Sequence, residues 1–185
     1  MKKQNCHCPA LALFSAAIAL VLIPGVATAQ PKSTNPSDQA VLLGQFGDWG
    51  AYTASPGGKK VCFALSKPTS ATTEPAGRNR DASYAFISTR PAEKVKNEVS
   101  VIVGYPQKPS HDANATVGSA TYVMYTQNDG AWVKNAAEET QMVEAMRKGA
   151  DLVVKSESSR GTKTTDTYSL RGIAEALDKV AAECK

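Results

Sequence analysis

The residue types of a hydrolytic triad occur side by side at Ser110, His111 and Asp112. In such a triad the serine attacks a carbonyl carbon, the histidine takes the serine proton and the aspartate orients the histidine. Three consecutive residues rarely point at a common centre, because triads are assembled from distant positions. The surrounding stretch has the composition of a loop. The sequence therefore favours a solvated loop histidine over a catalytic one.

Other chemistries also lack their usual residue patterns. A metal site needs His, Cys or carboxylates at ligand spacing, and the sequence has no such cluster. Residues 57–60 (Gly-Gly-Lys-Lys) lack the spacing of a phosphate-binding loop and are typical of a hairpin turn. Glu138 and Glu139 lie where a helix is predicted to begin, and negative charge there complements the helix dipole. We therefore predict no catalytic residue, no metal, no cofactor and no enzyme activity.

Basic residues in two predicted loops offer a candidate surface patch. Such a patch would bind anionic envelope polymers, lipid head groups or an acidic protein, whereas scattered solvated charges are the favoured alternative. Removal of Lys2 and Lys3 with the leader described below reduces the 21 basic residues to 19, against 17 acidic ones. This balance does not predict a nucleic-acid partner. The candidate residues are Arg78, Arg80, Arg90, Lys94 and Lys96.

The first 29 residues have the pattern of a secretory signal peptide. Two lysines precede an uncharged run of 14 residues at 10–23, and Ala-Thr-Ala at 27–29 is a small-x-small cleavage site. The run is shorter than the roughly 20 residues that a membrane-spanning helix needs. We expect cleavage between Ala29 and Gln30, and a periplasmic or secreted mature protein without a transmembrane segment. An uncleaved amphipathic anchor is the alternative.

Removal of this leader discards Cys6 and Cys8 and leaves Cys62 and Cys184. An oxidising compartment favours a disulfide between them. Closing a loop of about 122 residues contributes about 5 kcal/mol in the chain-entropy model. Two unpaired buried thiols or a redox pair are the alternatives, although the lack of Cys-x-x-Cys spacing disfavours a catalytic dithiol.

The elements that position these residues are mostly strands. Residues 30–40 are polar and are predicted to form a flexible tail, and residues 67–81 to form a long connection. Valine-rich alternation is typical of a half-buried strand, and Asn-Asp-Gly at 128–130 indicates a hairpin turn. Strands are predicted at 46–52, 60–66, 83–89, 99–105, 116–126, 131–133, 151–155 and 162–168.

Two helices interrupt this pattern. The first covers residues 136–148, with Asn135 as its N-cap and Gly149 after its end. The second is predicted to begin at Ser169 and carries an apolar stripe that ends at Cys184.

These elements predict a single mainly β domain at 41–185. The favoured architecture is an antiparallel β-sandwich with two helices, the last one C-terminal and disulfide-linked to an early strand. An α+β arrangement, in which both helices cover one sheet, is the alternative. Trp49 and Trp132 are candidate core anchors, with an exposed binding hot spot as the alternative for either.

Several ordered segments together resemble the invasion-associated locus B family, most closely its members from rhizobia-like alphaproteobacteria. Many members carry an additional cysteine shortly after the tryptophan, where this chain has Tyr52. The resemblance implies an exported bacterial envelope protein without established catalytic residues, in a family named for a locus that promotes pathogen entry into host cells. The segments are residues 46–49 (FGDW), 61–65 (VCFAL), 87–91 (ISTRP), 97–100 (NEVS), 131–134 (AWVK) and 168–172 (YSLRG) followed by Cys184.

The leading functional hypothesis is an exported, non-enzymatic envelope protein that binds another protein or an envelope polymer, with a host-interaction or virulence role that rests on the resemblance alone. A hydrolase or lyase acting on envelope or extracellular material is the rival. It would need carboxylates such as Asp48 or Asp81 to converge in a cleft. A small-ligand carrier is the third hypothesis, and a large apolar cavity would be its sign.

Overall fold

Eleven strands and two α-helices form within residues 39–185, the part of the chain that the computed structural model describes. The predicted leader, its cleavage site at Ala29 and Gln30, and residues 30–38 of the predicted tail lie outside the described residues. Neither α-helix has the length and apolar composition that a membrane span requires. The strands are β1 (Val41–Phe46), β2 (Trp49–Ala54), β3 (Val61–Ser66), β4 (Ser70–Glu74), β5 (Tyr84–Arg90), β6 (Val95–Ile102), β7 (Ala113–Val117), β8 (Ala120–Gln127), β9 (Gly130–Val133), β10 (Asp151–Glu157) and β11 (Lys163–Ser169), and the helices are α1 (Ala136–Lys148) and α2 (Ile173–Glu183).

All of these strands belong to one antiparallel sheet, in the order β1-β2-β3-β5-β6-β9-β8-β7-β10-β11-β4. The sheet curls, because strands far apart in this order contact each other. Nε1 of Trp49 in β2 donates a hydrogen bond of 2.9 Å to the carbonyl oxygen of Ser169 in β11. The two layers of the expected sandwich are therefore parts of one continuous sheet. The mainly antiparallel β class with two helices is confirmed.

The core lies on one face of the strands, as the period-two pattern predicts. In β3, for example, Cys62 and Ala64 are buried, whereas Phe63 and Leu65 are partly exposed. Helix α2 packs against β1, β2 and β3, and α1 packs mainly against β6. Both helices thus contact the same sheet, which is the feature that the α+β alternative emphasised.

The helix boundaries follow local capping chemistry. Helix α1 is confirmed: the Asn135 side chain accepts a hydrogen bond from the backbone N–H of Glu138. The predicted start of the second helix at Ser169 is wrong, because Ser169 is the last residue of β11 and pairs with Asp151. Helix α2 begins only at Ile173, after Gly172 takes a φ of 88° and redirects the chain.

Three strand predictions also need correction. The predicted strand 46–52 is broken by a turn at Gly47, with φ of 53°, which separates β1 from β2. The predicted strand 116–126 is broken in the same way at Gly118, with φ of 58°, between β7 and β8. The predicted connection 67–81 contains β4, whose residues are mostly exposed, so no apolar alternation marks it.

The predicted disulfide between Cys62 and Cys184 is confirmed. Its S–S distance is 2.05 Å and the two Cα atoms lie 5.9 Å apart. Both cysteines are buried, Cys62 in β3 and Cys184 directly after α2. The bridge therefore attaches the last helix to the strands against which it packs.

Candidate functional site

A polar pocket of about 580 Å³ opens between the segment that follows β4 and the turn that joins β10 to β11. Arginines enter it from both sides, Arg78 and Arg80 from the segment and Arg160 from the turn. The third wall is the chain that follows β6, including Gly104 and Tyr105. The pocket is therefore assembled from three separate parts of the sequence.

A buried ion pair forms one boundary of this pocket. The Arg80 guanidinium donates two hydrogen bonds to the Asp166 carboxylate, one of them from Nη1 to Oδ2 at 2.7 Å, and Nη1 also donates to the carbonyl oxygen of Val103 at 3.0 Å. Only 11% of the Arg80 side chain and 1% of the Asp166 side chain are exposed. The hydrogen bond with Asp166 raises the pKa of Arg80 against the opposing effect of burial. Arg80 is therefore a charge-compensated structural group.

The neighbouring hydroxyl groups are also fixed. The Tyr105 hydroxyl lies 2.5 Å from Oγ1 of Thr164 in β11, and the Arg80 guanidinium lies 5.9 Å from the centre of the Tyr105 ring. The backbone N–H of Asp81 donates to the Gly104 carbonyl at 3.0 Å. Gly104 has a φ of 76°, and a Cβ there would collide with the Asp81 carbonyl. The wall between β6 and the arginine-bearing segment is therefore closely packed.

Arg78 and Arg160 differ from Arg80 because their guanidinium groups have no hydrogen-bond or ion-pair partner among residues 39–185. Their backbones, however, are held in place. The backbone N–H of Arg78 donates to Oγ1 of Thr73 at 3.2 Å, and that of Arg160 donates to Oγ of Ser158 at 3.3 Å. Two exposed cations with ordered backbones thus line the same polar pocket.

The five basic residues of the predicted patch do not lie together. Arg78 and Arg80 line the pocket near the Tyr84 end of β5, whereas Arg90 is at the other end of that strand, about 20 Å away at the usual rise per residue. Lys94 and Lys96 follow Arg90 in the β5–β6 connection and in β6.

The Arg90 charge is compensated within its own hairpin. Its guanidinium binds the carboxylates of Glu93 and Glu98 at 2.7 Å each, and the hydrogen bonds with Glu98 raise its pKa. The sequence prediction also omitted Arg160. Its Ser-Ser-Arg-Gly turn is recognisable in the sequence, but the pairing that brings it to Arg78 is not.

The residues of the apparent triad face different partners. Nε2 of His111 lies 3.6 Å from the Glu157 carboxylate, and Asp112 binds Nζ of Lys134 at 2.7 Å. A hydrogen bond from Lys108 to Glu157 lowers the pKa of Glu157. Ser110, His111 and Asp112 therefore do not assemble into a nucleophile, base and orienting acid.

The carboxylates that the rival enzyme hypothesis singled out are also separated. Asp48 binds Arg171 through two hydrogen bonds of 3.0 and 3.1 Å, which lower the pKa of Asp48. Asp81 lines the pocket but has no ion-pair partner among the described residues. Within residues 39–185, no group of three or more His, Cys, Asp or Glu residues could hold a metal ion.

The two tryptophans occupy different environments. Trp49 is fully buried, which confirms it as a core anchor. Trp132 is only partly buried and stacks on Tyr125, with ring centres 5.6 Å apart. A second group of stacked rings, including Tyr52, Phe63 and Phe86, crosses β2, β3 and β5 on the partly exposed face of the sheet.

The sequence profile of the Invasion associated locus B (IalB) protein family matches residues 49–181. The chain belongs to this family. The match confirms the family resemblance seen in the sequence, and it extends from β2 into α2. All of the pocket residues of this IalB family member lie inside the matched region. No match to a curated protein or to a solved structure was found.

Proposed function

We propose that this IalB family member is an exported, non-enzymatic binding module of the cell envelope, and that the polar pocket is its binding site. The observation that carries the proposal is the pair of uncompensated guanidinium groups of Arg78 and Arg160 beside a rigid boundary formed by Arg80 and Asp166. Fixed polar groups around a concave site are typical of ligand binding.

Export is supported by two independent features. The first 29 residues have the charge, length and cleavage pattern of a signal peptide. The Cys62–Cys184 bridge is of the kind that persists in oxidising compartments. The partner would then be a protein or polymer of the periplasm or the cell surface, and a host-interaction or virulence role is suggested by the family description alone.

Binding is favoured over hydrolysis or lyase chemistry because of how the carboxylates are distributed. An acid–base mechanism needs two titratable groups that converge on one substrate atom. Asp166 is engaged by Arg80, and Asp48 is engaged by Arg171. Asp81 remains as the one pocket-lining carboxylate without an ion-pair partner among the described residues.

The site can be tested by filling the pocket without disturbing the core. Ser159 is exposed and lines the pocket, so Ser159→Trp should obstruct it. Ser119 is exposed in the β7–β8 turn, so Ser119→Trp is a matched control. Each immobilised, oxidised mature protein is incubated with an envelope extract of the source bacterium, and the captured components are compared.

We expect the wild type and Ser119→Trp to retain the same component and Ser159→Trp to lose it. Equal capture by Ser159→Trp would show that the pocket is not the site. Failure of the wild type to capture any component reproducibly would contradict the binding function itself. Export is tested separately by fractionation and by mass spectrometry, which should find Gln30 as the first residue of the periplasmic or secreted protein.

A further inference from the structure

We propose that the ligand of this pocket is an acidic saccharide, whose carboxylate or phosphate group is bound by Arg78 and Arg160. This inference rests on the proposed binding function and specifies its ligand. It follows from the charge, the hydroxyl groups and the size of the pocket, taken in turn below.

The charge of the pocket favours an anion. The positive charge of Arg80 is compensated by Asp166, whereas Arg78 and Arg160 have no compensating carboxylate among residues 39–185. Asp81 is the opposing charge at the pocket surface, so the pocket retains a net charge of about +1 by this tally. A guanidinium presents paired N–H donors whose planar geometry matches a carboxylate or a phosphate. An oxyanion is therefore the group that these two arginines bind best.

The hydroxyl groups of the pocket favour a ligand that carries more than an anion. The Ser158 hydroxyl oxygen accepts hydrogen bonds from the backbone N–H groups of Arg160 and Thr162, and that of Thr73 accepts one from Arg78. These hydroxyls use lone pairs in the fold and keep their O–H groups as donors. Asp81 supplies acceptors. A polyhydroxylated ligand can use both kinds of group, whereas a simple anion cannot use the carboxylate.

The size of the pocket points in the same direction. Its volume of about 580 Å³ falls within the range of roughly 300–1,000 Å³ that is usual for organic ligands. A single inorganic oxyanion would leave most of this space to water. Tyr105 contributes apolar ring surface, since its hydroxyl is engaged by Thr164. A sugar ring combines an apolar face with peripheral hydroxyls, and its acid group would reach the arginines.

Isothermal titration calorimetry of the oxidised mature protein tests this proposal with four probes. Trigalacturonate presents carboxylates, glucose 6-phosphate presents a phosphate, maltotriose is a neutral saccharide and inorganic phosphate is an anion without a sugar. The variants are Arg78→Gln and Arg160→Gln, both at exposed positions. Lys96→Gln removes the same charge from an exposed site in β6 and is the control.

We expect at least one acidic saccharide to bind, and to bind at least tenfold more tightly than maltotriose and inorganic phosphate. Each arginine substitution should weaken binding about tenfold or more, because a hydrogen-bonded charge is lost. Lys96→Gln should leave the affinity unchanged. The stronger of the two acidic probes identifies whether the acid group is a carboxylate or a phosphate.

Three results would overturn the inference. They are binding of maltotriose as tight as that of the acidic probes, binding of inorganic phosphate as tight as theirs, and arginine variants that behave like Lys96→Gln. Absence of binding by both acidic saccharides also overturns it. If Ser159→Trp still abolishes capture of an envelope component in that case, the binding function stands and only the ligand class is wrong. If capture is absent as well, both proposals fail.

Discussion

Arg80 and Asp166, which are 86 residues apart in sequence, form a hydrogen-bonded ion pair that is almost completely shielded from water. Arg80 precedes β5, and Asp166 lies in β11, so the pair joins two distant strands of the curled sheet. Burial of an ion pair is costly, and the cost is offset only when the geometry satisfies both partners. This pair therefore fixes the position of the pocket more than it adds to the free energy of unfolding.

Asp166→Asn should destabilise the protein strongly. The substitution leaves the Arg80 charge buried without its counter-ion, and breaking such pairs costs about 3–5 kcal/mol. Urea unfolding measures the loss. Lys134→Gln, which breaks the exposed pair with Asp112, is the control and should cost at most about 1 kcal/mol. The double variant Arg80→Met/Asp166→Leu should be more stable than Asp166→Asn, and equal losses in the two would contradict this account.

Reduction of the Cys62–Cys184 disulfide should lower the free energy of unfolding. The bridge spans 122 residues, and the chain-entropy model assigns about 5 kcal/mol to a loop of this length. Urea unfolding with and without dithiothreitol measures the change, and Cys62→Ser/Cys184→Ser should reproduce the reduced protein. If the unfolding midpoint is the same in oxidised and reduced protein, the bridge does not stabilise the fold.

Glu139 should make stability depend on pH. Burial raises the pKa of its carboxyl above the ordinary value of 4.5, although the hydrogen bond from the backbone N–H of Val99 opposes the shift. Glu98, which raises this pKa, and Arg90, which lowers it, also face the carboxyl. Because the folded protein holds the proton more tightly than the unfolded chain, this contribution is fully present below pH 4.5 and is lost as the pH rises through the raised pKa.

Glu139→Gln keeps an acceptor for Val99 and does not titrate. The stability of the wild type relative to this variant should therefore fall as the pH rises from 4.5 towards neutrality, measured by urea unfolding at each pH. Glu144→Gln, on an exposed part of the same helix, controls for the loss of a carboxylate. A relative stability that rises with pH would show that the sign is wrong.

The two tryptophans should differ in fluorescence. Trp132→Phe leaves Trp49, which is fully buried and hydrogen-bonded to Ser169, so its emission should be blue-shifted and resist acrylamide quenching. Trp49→Phe leaves Trp132, which is partly exposed beside Tyr125, so quenching should be several times stronger. Trp49→Phe should also cost about 1–3 kcal/mol, because the Ser169 carbonyl loses its indole donor. Equal quenching in the two variants would contradict the burial of Trp49.

Local patterns in the sequence were sufficient where one segment determines its own structure. Helix α1 follows from Asn135 and Gly149, and the β3 alternation follows from its apolar period. The disulfide followed from the count of cysteines that remain after export. The start of α2 was missed because Ser169 is a good N-cap by residue type, although its backbone is engaged by β10.

The pocket could not be predicted in the same way because it depends on long-range strand pairing. Arg78 and Arg160 come together since β4 pairs with β11, for example at Thr72 and Thr165. Strand β4 is mostly exposed and rich in threonine, so hydrophobic periodicity gives no sign of it. Without that pairing, the basic residues on either side of β5 looked like one patch.

The pairing of β4 with β11 also has a consequence for the time course of folding. Thr72 lies 93 residues before its partner Thr165, and contacts between such remote segments form slowly because a long loop must close first. The walls at Thr73 and Thr164 can meet only after that step. Ligand recognition would thus be acquired late, and a nascent or partly folded molecule would not compete for the ligand.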